Sequence, residues 1–128
     1  MDGGHERLPR AARIRRTRDI RVHLRRGRRM RTPALDVYLL DRSAGGIGEW
    51  RGPRIGWIVP KLGHGSVERN RLKRRLREIG RRRVLKRLRE AECRADVLVR
   101  ARRGGYRATY QELEAQWMSV VEVACSHR

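Results

Sequence analysis

The chain has 128 residues, a length suited to one domain with a single modest hydrophobic core. Its 34 Lys and Arg against 14 Asp and Glu leave a net charge of +20, a self-repulsion that a polyanion would relieve, so nucleic acid is the default partner. Cys93 and Cys125 lack CxxC spacing and no apolar run approaches bilayer length, which argues against a disulfide-stapled secreted domain and a membrane span, and for a soluble protein of a reducing cytoplasm.

Residues 1–16 mix Gly, Pro and Arg with little apolar content and read as a flexible basic N-terminal arm, ahead of a domain over residues 17–125 and a short tail, 126–128. Thr17 has the chemistry to cap a short helix, with Asp19 favourable in its first turn, Ile20 and Leu24 one turn apart on one face, and Gly27 as its stop. Leu35 to Leu40 and Ile55 to Val59 are apolar runs rich in β-branched residues, separated by a Gly-rich segment from Ser43 to Pro53; they predict two antiparallel strands joined by a loose hairpin connection. Ser66, with Glu68 behind it, opens a long basic helix predicted from about Val67 to the region of Leu88, with Gly80 as a weak point. Asp96 to Ala101 alternates as a third strand, and Arg102 to Arg107 forms a turn around Gly104 and Gly105. Thr109 and Glu112 have capping-box spacing, and Leu113, Trp117, Val120, Val121 and Ala124 recur on what should be the core face of a last helix.

This order predicts an α+β fold, a single-domain sandwich of three or four helices on a small mixed sheet. Within the basic helix, twelve Lys or Arg lie between Arg69 and Arg89 with hardly any Glu between them. At roughly 100° per residue, Leu72, Leu76 and Ile79 form a narrow apolar stripe, while Arg69, Asn70, Lys73, Arg74, Arg77 and Arg81 cover a separate arc. Like charges at i,i+4, such as Arg69 with Lys73, destabilise such a helix unless phosphate neutralises them. A solvated basic face is the bland alternative, a ribosomal RNA-binding protein satisfies the composition equally well, and a module lying on anionic lipid is a third reading that the narrow stripe disfavours. Enzyme signals are missing: His5, His23, His64 and His127 have no metal-ligand spacing, no Gly-rich phosphate loop ends in Gly-Lys-Ser or Gly-Lys-Thr, and neither cysteine has a nearby His to activate it.

The run Val67-Glu68-Arg69-Asn70-Arg71-Leu72-Lys73-Arg74-Arg75-Leu76-Arg77-Glu78 resembles the RNR signature of the bacterial ribonuclease P protein family. Arg13-Ile14-Arg15-Arg16-Thr17-Arg18-Asp19-Ile20 is similar to that family's opening, Val37-Tyr38-Leu39 to its first strand, Asp96-Val97-Leu98-Val99-Arg100-Ala101 to its last strand, and Thr109-Tyr110-Gln111-Glu112 to the start of its final helix. The resemblance runs from about Arg13 to Ala124. It implies a left-handed β-α-β crossover through the basic helix, and a non-catalytic protein subunit of an RNA endonuclease that removes the 5′ leader of precursor tRNA. The protein would bind no cofactor alone, the holoenzyme would use Mg2+, and the expected state is a monomer in a 1:1 ribonucleoprotein.

By the same resemblance Arg69, Asn70, Arg71, Lys73, Arg74 and Arg77 would contact the catalytic RNA, Lys61 would meet a phosphate, and Ile20, Leu24 and Tyr38 would line a leader cleft between the first helix and the sheet. Two departures stand out. The family commonly places Phe where this chain has Ile20 and Leu24, which can pack on a base but cannot stack as aromatics do. The loop Pro60-Lys61-Leu62-Gly63-His64-Gly65 also differs from the usual Ser-Lys-Lys-Val-Gly.

Overall fold

The structure is a computed structural model that describes residues 8–43 and 50–126. Helix α1 (Thr17–Arg26) is followed by strands β1 (Arg28–Arg31), β2 (Leu35–Asp41) and β3 (Ile55–Ile58), helices α2 (Ser66–Ile79) and α3 (Leu85–Glu90), strand β4 (Ala95–Ala101) and helix α4 (Tyr110–Ser126). Ser126, assigned by sequence to the tail 126–128, instead closes α4; residues 127–128, the first part of the predicted arm, 1–7, and most of the Gly-rich connection fall outside the described residues.

The four strands form one mixed sheet in the order β1-β2-β4-β3. The expected hairpin of β2 with β3 is therefore wrong: β4 lies between them, antiparallel to β2 and parallel to β3. A parallel β3–β4 pair cannot close with a tight turn, and α2 and α3 supply the crossover that returns the chain. β4 is not the half-buried alternating strand anticipated from its sequence, since Asp96, Val97, Leu98 and Val99 are all buried. A central strand covered on both faces loses the solvent side that would require polar residues. β1, an Arg-Arg-Met-Arg segment without apolar periodicity, was not anticipated; its outward arginines suit an edge strand that must not recruit another chain.

The helices divide between the two faces. Leu35, Val37, Val97, Val99 and Ile55 point to one side, where they pack with Leu72, Leu76 and Ile79 of α2, Leu85 and Leu88 of α3, and Leu113, Trp117 and Val121 of α4. Tyr38 and Leu98 point to the other, against Ile14 and the Ile20 and Leu24 edge of α1. In α4 the buried stripe follows the predicted face except at its end, where Cys125 is buried in place of Ala124. The capping box forms as the spacing requires: Thr109 N–H donates to Glu112 Oε1 at 2.8 Å and Glu112 N–H to Thr109 Oγ1 at 3.1 Å.

Gly80 marks a π turn, Gly80–Val84, between α2 and α3. After Leu72, Leu76 and Ile79, a continuous 3.6-residue period would next present Arg83 to the core; one extra residue in the wide turn presents Val84 instead. A Cβ on Gly80 would strike Ile55 Cδ1 and stand 3.1 Å from Trp117 Cη2, so glycine is what lets this turn approach the sheet and α4.

Thr17 is not a cap. Arg16 holds the cap position without a side-chain hydrogen bond, and Gly65, not Ser66, does so for α2. Nor are residues 8–16 a loose arm: Ile14 N–H donates to Ile55 O at 2.7 Å, Ala12 and Ile14 are buried, and Arg13 bridges to β3. Two buried apolar residues and a strand edge with free hydrogen-bonding groups outweigh the ordering entropy that composition emphasised.

Candidate nucleic-acid interface

The apolar stripe of α2 is seated on the sheet, which fixes where its cations point. Asn70, Arg71, Arg74 and Arg77 are exposed, and Arg69 and Lys73 are half-buried on the flanks. Arg69 donates from Nε to the Val59 carbonyl at 3.3 Å and lies beside the Tyr106 phenol, so it also braces the end of β3. Among the described residues, Asn70, Lys73, Arg74 and Arg77 have no carboxylate partner, and the acid near Arg71 is Glu68 of the preceding turn.

The remainder of the basic helical stretch is different. Arg81 and Arg82 lie on Glu78, at 2.7 and 3.7 Å, Arg83 reaches Glu114 at 3.0 Å, and Arg87 pairs with Glu122 at 2.6 Å. Arg81 therefore leaves the exposed arc to which its helical angle assigned it. Partners from α4 neutralise much of the C-terminal part, whereas the exposed arc of α2 has no such partners among the described residues. Sequence reasoning missed this division because Glu114 and Glu122 are about thirty residues from the arginines they meet.

The cationic surface continues past α2. Burial, and then the charges of Arg77 and Arg15, lower the pKa of the Arg13 guanidinium, which sits 4.4 Å above the Trp57 ring. Arg10, Arg13, Arg15, Arg16 and Arg18 surround a cavity of about 540 Å3 with Asp19 on its wall. All of these but Arg18 belong to the stretch that composition assigned to the N-terminal arm; their density was the available signal. Lys61 is exposed in the loop before α2, and its carbonyl accepts the His64 N–H at 2.8 Å.

Ile20, Leu24 and Tyr38 do come together, with Ile14, Leu98 and Ile58, between α1 and the sheet. Ile20 and Leu24 keep part of their surface accessible, whereas Tyr38 is 6% exposed and presents no open ring face. α1 is held over this cleft by a buried polar cluster. His23 Nε2 donates to Asp96 Oδ2 at 2.8 Å, and Arg42 and Arg54 reach the same oxygen, each at 2.8 Å.

Among the described residues no group of His, Cys, Asp and Glu could hold a metal ion, and no helix is long and apolar enough to cross a membrane. Cys93 and Cys125 are free and buried; burial first, then the neighbouring Cys93, pushes the Cys125 thiol up to about 11, the opposite of what a nucleophile needs.

The family model described as Ribonuclease P matches residues 8–124. The "Ribonuclease P protein component" of Acidothermus cellulolyticus is 36% identical over 110 residues, covering 86% of this chain and 85% of that protein. That of Rhodococcus erythropolis is 38% identical over 111 residues, covering 85% of each. Among solved structures, the Staphylococcus aureus RNase P protein aligns with a TM-score of 0.69 at 22% identity, over 90% of this chain and 96% of that one. The Thermotoga maritima RNase P protein aligns with a TM-score of 0.66 at 20% identity, over 86% and 94%. At such identities the structural likeness establishes the fold.

Proposed function

Because this chain belongs to the ribonuclease P protein family, we propose that it is the non-catalytic protein subunit of ribonuclease P and assists a catalytic RNA in removing the 5′ leader of precursor tRNA. The observation that carries this reading is the face of α2 on which Asn70, Arg71, Lys73, Arg74 and Arg77 stand accessible on a rigid helix, the four cations without a carboxylate salt bridge among the described residues. A fixed cationic face of this kind gains by releasing counterions from a folded polyanion.

In this reading α2 and Lys61 grip the RNA subunit, and the leader runs between α1 and the sheet along Ile20 and Leu24. Contact there is by packing on aliphatic surface, with Tyr38 available if the cleft opens. Guanidinium and ammonium groups suit phosphate and repel divalent cations, so the Mg2+ of the reaction is held by the RNA and not by this protein. The partner state is a monomer in a 1:1 complex, acting in the cytoplasm.

Reconstitution tests it. Added to a bacterial ribonuclease P RNA, the protein should lower the Mg2+ concentration needed to cleave precursor tRNA; an unchanged requirement across a range of protein concentrations would refute the proposal.

A further inference from the structure

The loop before α2, where the sequence departs from the family's usual pattern, sets His64 against Tyr106 of the turn after β4, a pair of rings for which RNA gripping by α2 has no evident need. The His64 and Tyr106 rings are stacked, with centroids 3.7 Å apart and planes 10° from parallel. Tyr106 is the inner member: it packs against the main core, and its hydroxyl donates to the Pro60 carbonyl at 2.5 Å. His64 is the outer member, its side chain 30% exposed, and its Nδ1 meets Glu68 Oε2 at 2.7 Å. The order outward is therefore core, Tyr106, His64, solvent, and the edge contact with Glu68 fixes the ring's rotation.

We propose that His64 is a stacking platform for an unpaired nucleobase of bound RNA; the inference rests on the reading of α2 as an RNA-binding face and adds a base contact to its phosphate contacts. Three features carry it. An imidazole already ordered by Tyr106 and Glu68 offers a flat surface without the entropy cost of immobilising it on binding. Exposed Lys61 belongs to the same loop, its carbonyl bonded to the His64 N–H, while Arg69 lies beside Tyr106 and Arg71 beside Glu68, so a strand crossing the ring has cations nearby for its phosphates. Every base has a π-face, so such a platform takes any unpaired nucleotide and suits a loop or bulge of a structured RNA. Glu68 is the opposing charge at the site, and its hydrogen bond to Nδ1 holds it at the ring's edge, off the stacking surface.

The test uses the full chain and two probes at low salt, a short oligoadenylate and an abasic ribose-phosphate strand of the same length. His64→Ala should weaken oligoadenylate binding by about 5- to 150-fold, the range of a single base stack. His64→Phe should bind like the parent, and on the abasic strand all three proteins should bind alike. An equal loss on both strands would make His64 a brace for the Lys61 loop, and full binding by His64→Lys would make it a charge; either overturns the platform, as does an unaffected His64→Ala. If His64→Ala does not fold, His64→Leu, which keeps bulk against Tyr106 without a π-face, takes its place with the same outcomes. Neither probe is a ribonuclease P RNA, so a failed reconstitution would not be confused with a failed platform.

Discussion

His23 on α1 and Asp96 on β4, 73 residues apart, meet at 2.8 Å where both are fully buried. The other ring nitrogen of His23 faces the Asp19 carbonyl at 2.5 Å, so the ring is held at both of its nitrogens. Because Arg42 and Arg54 converge on the same carboxylate, Asp96 joins α1, the end of β2 and the entry to β3 in one cluster. The geometry of the cleft beneath α1 depends on it.

Asp96→Ala would leave the Arg42 guanidinium and the His23 ring buried without their common acceptor. Breaking a buried ionic cluster in this way should cost about 3–5 kcal/mol, enough to unfold a marginal domain. A urea midpoint within error of the parent would mean the cluster contributes nothing.

The same carboxylate predicts the acid limb of stability. Burial raises the Asp96 pKa, but hydrogen bonds from His23 and Arg54, the Arg54 charge and a hydrogen bond from Arg42 outweigh it and hold it below the ordinary 3.8. With the folded pKa depressed, the unfolded chain takes up the proton first, so this stabilisation is complete well above 3.8 and is lost as pH falls through the folded value. Urea midpoints should be flat near neutrality as far as Asp96 is concerned and decline below pH 3.8, less steeply in Asp96→Asn.

Arg74→Ala and Arg77→Ala should each reduce the log-log salt slope of RNA binding by about 0.7–0.9 without changing the melting temperature, because both side chains are exposed and unpaired by carboxylates among the described residues. By contrast, Arg83→Ala and Arg87→Ala, whose charges are matched by Glu114 and Glu122, should alter that slope less. Equal slopes for the two pairs would erase the division of the basic stretch.

Gly80→Ala should destabilise the fold even though alanine is the better helix former by about 1 kcal/mol, because the added methyl meets Ile55 Cδ1 and Trp117. Overpacking of this kind costs about 1–3 kcal/mol. Ile55→Val deletes the Cδ1 atom in the way, so Gly80→Ala should be milder in that background; additive denaturation energies would place the strain elsewhere.

Thr109→Ala removes one half of a formed capping box and should cost about 1 kcal/mol, measurable by thermal melting, with little effect on RNA affinity because the α2 residue bonded beside the box is Arg75, at the Ala108 carbonyl, and not one of the Asn70 face.

What could be read from sequence was local. The basic helix, its Leu72, Leu76 and Ile79 stripe, the Thr109 capping box and the α4 core face all follow from residues within a few turns of one another, where helical period and cap chemistry act directly. The motif from Arg69 to Glu78 carried the family, and Ile20, Leu24 and Tyr38 met as the resemblance implied.

Tertiary structure decided whatever depends on partners distant in the chain. Period-2 alternation says which way side chains point but not which strand lies next to which, so the apolar runs of β2 and β3 looked like a hairpin until β4 filled the space between them. Composition made residues 8–16 a loose arm, whereas the free edge of β3 gave Ile14 a hydrogen-bonding partner. The cations of α2 and of the stretch beyond it are alike in sequence, and only the placement of Glu114 and Glu122 on α4 determines which remain for a polyanion. Charge content is a property of residues, but uncompensated charge is a property of their arrangement in space.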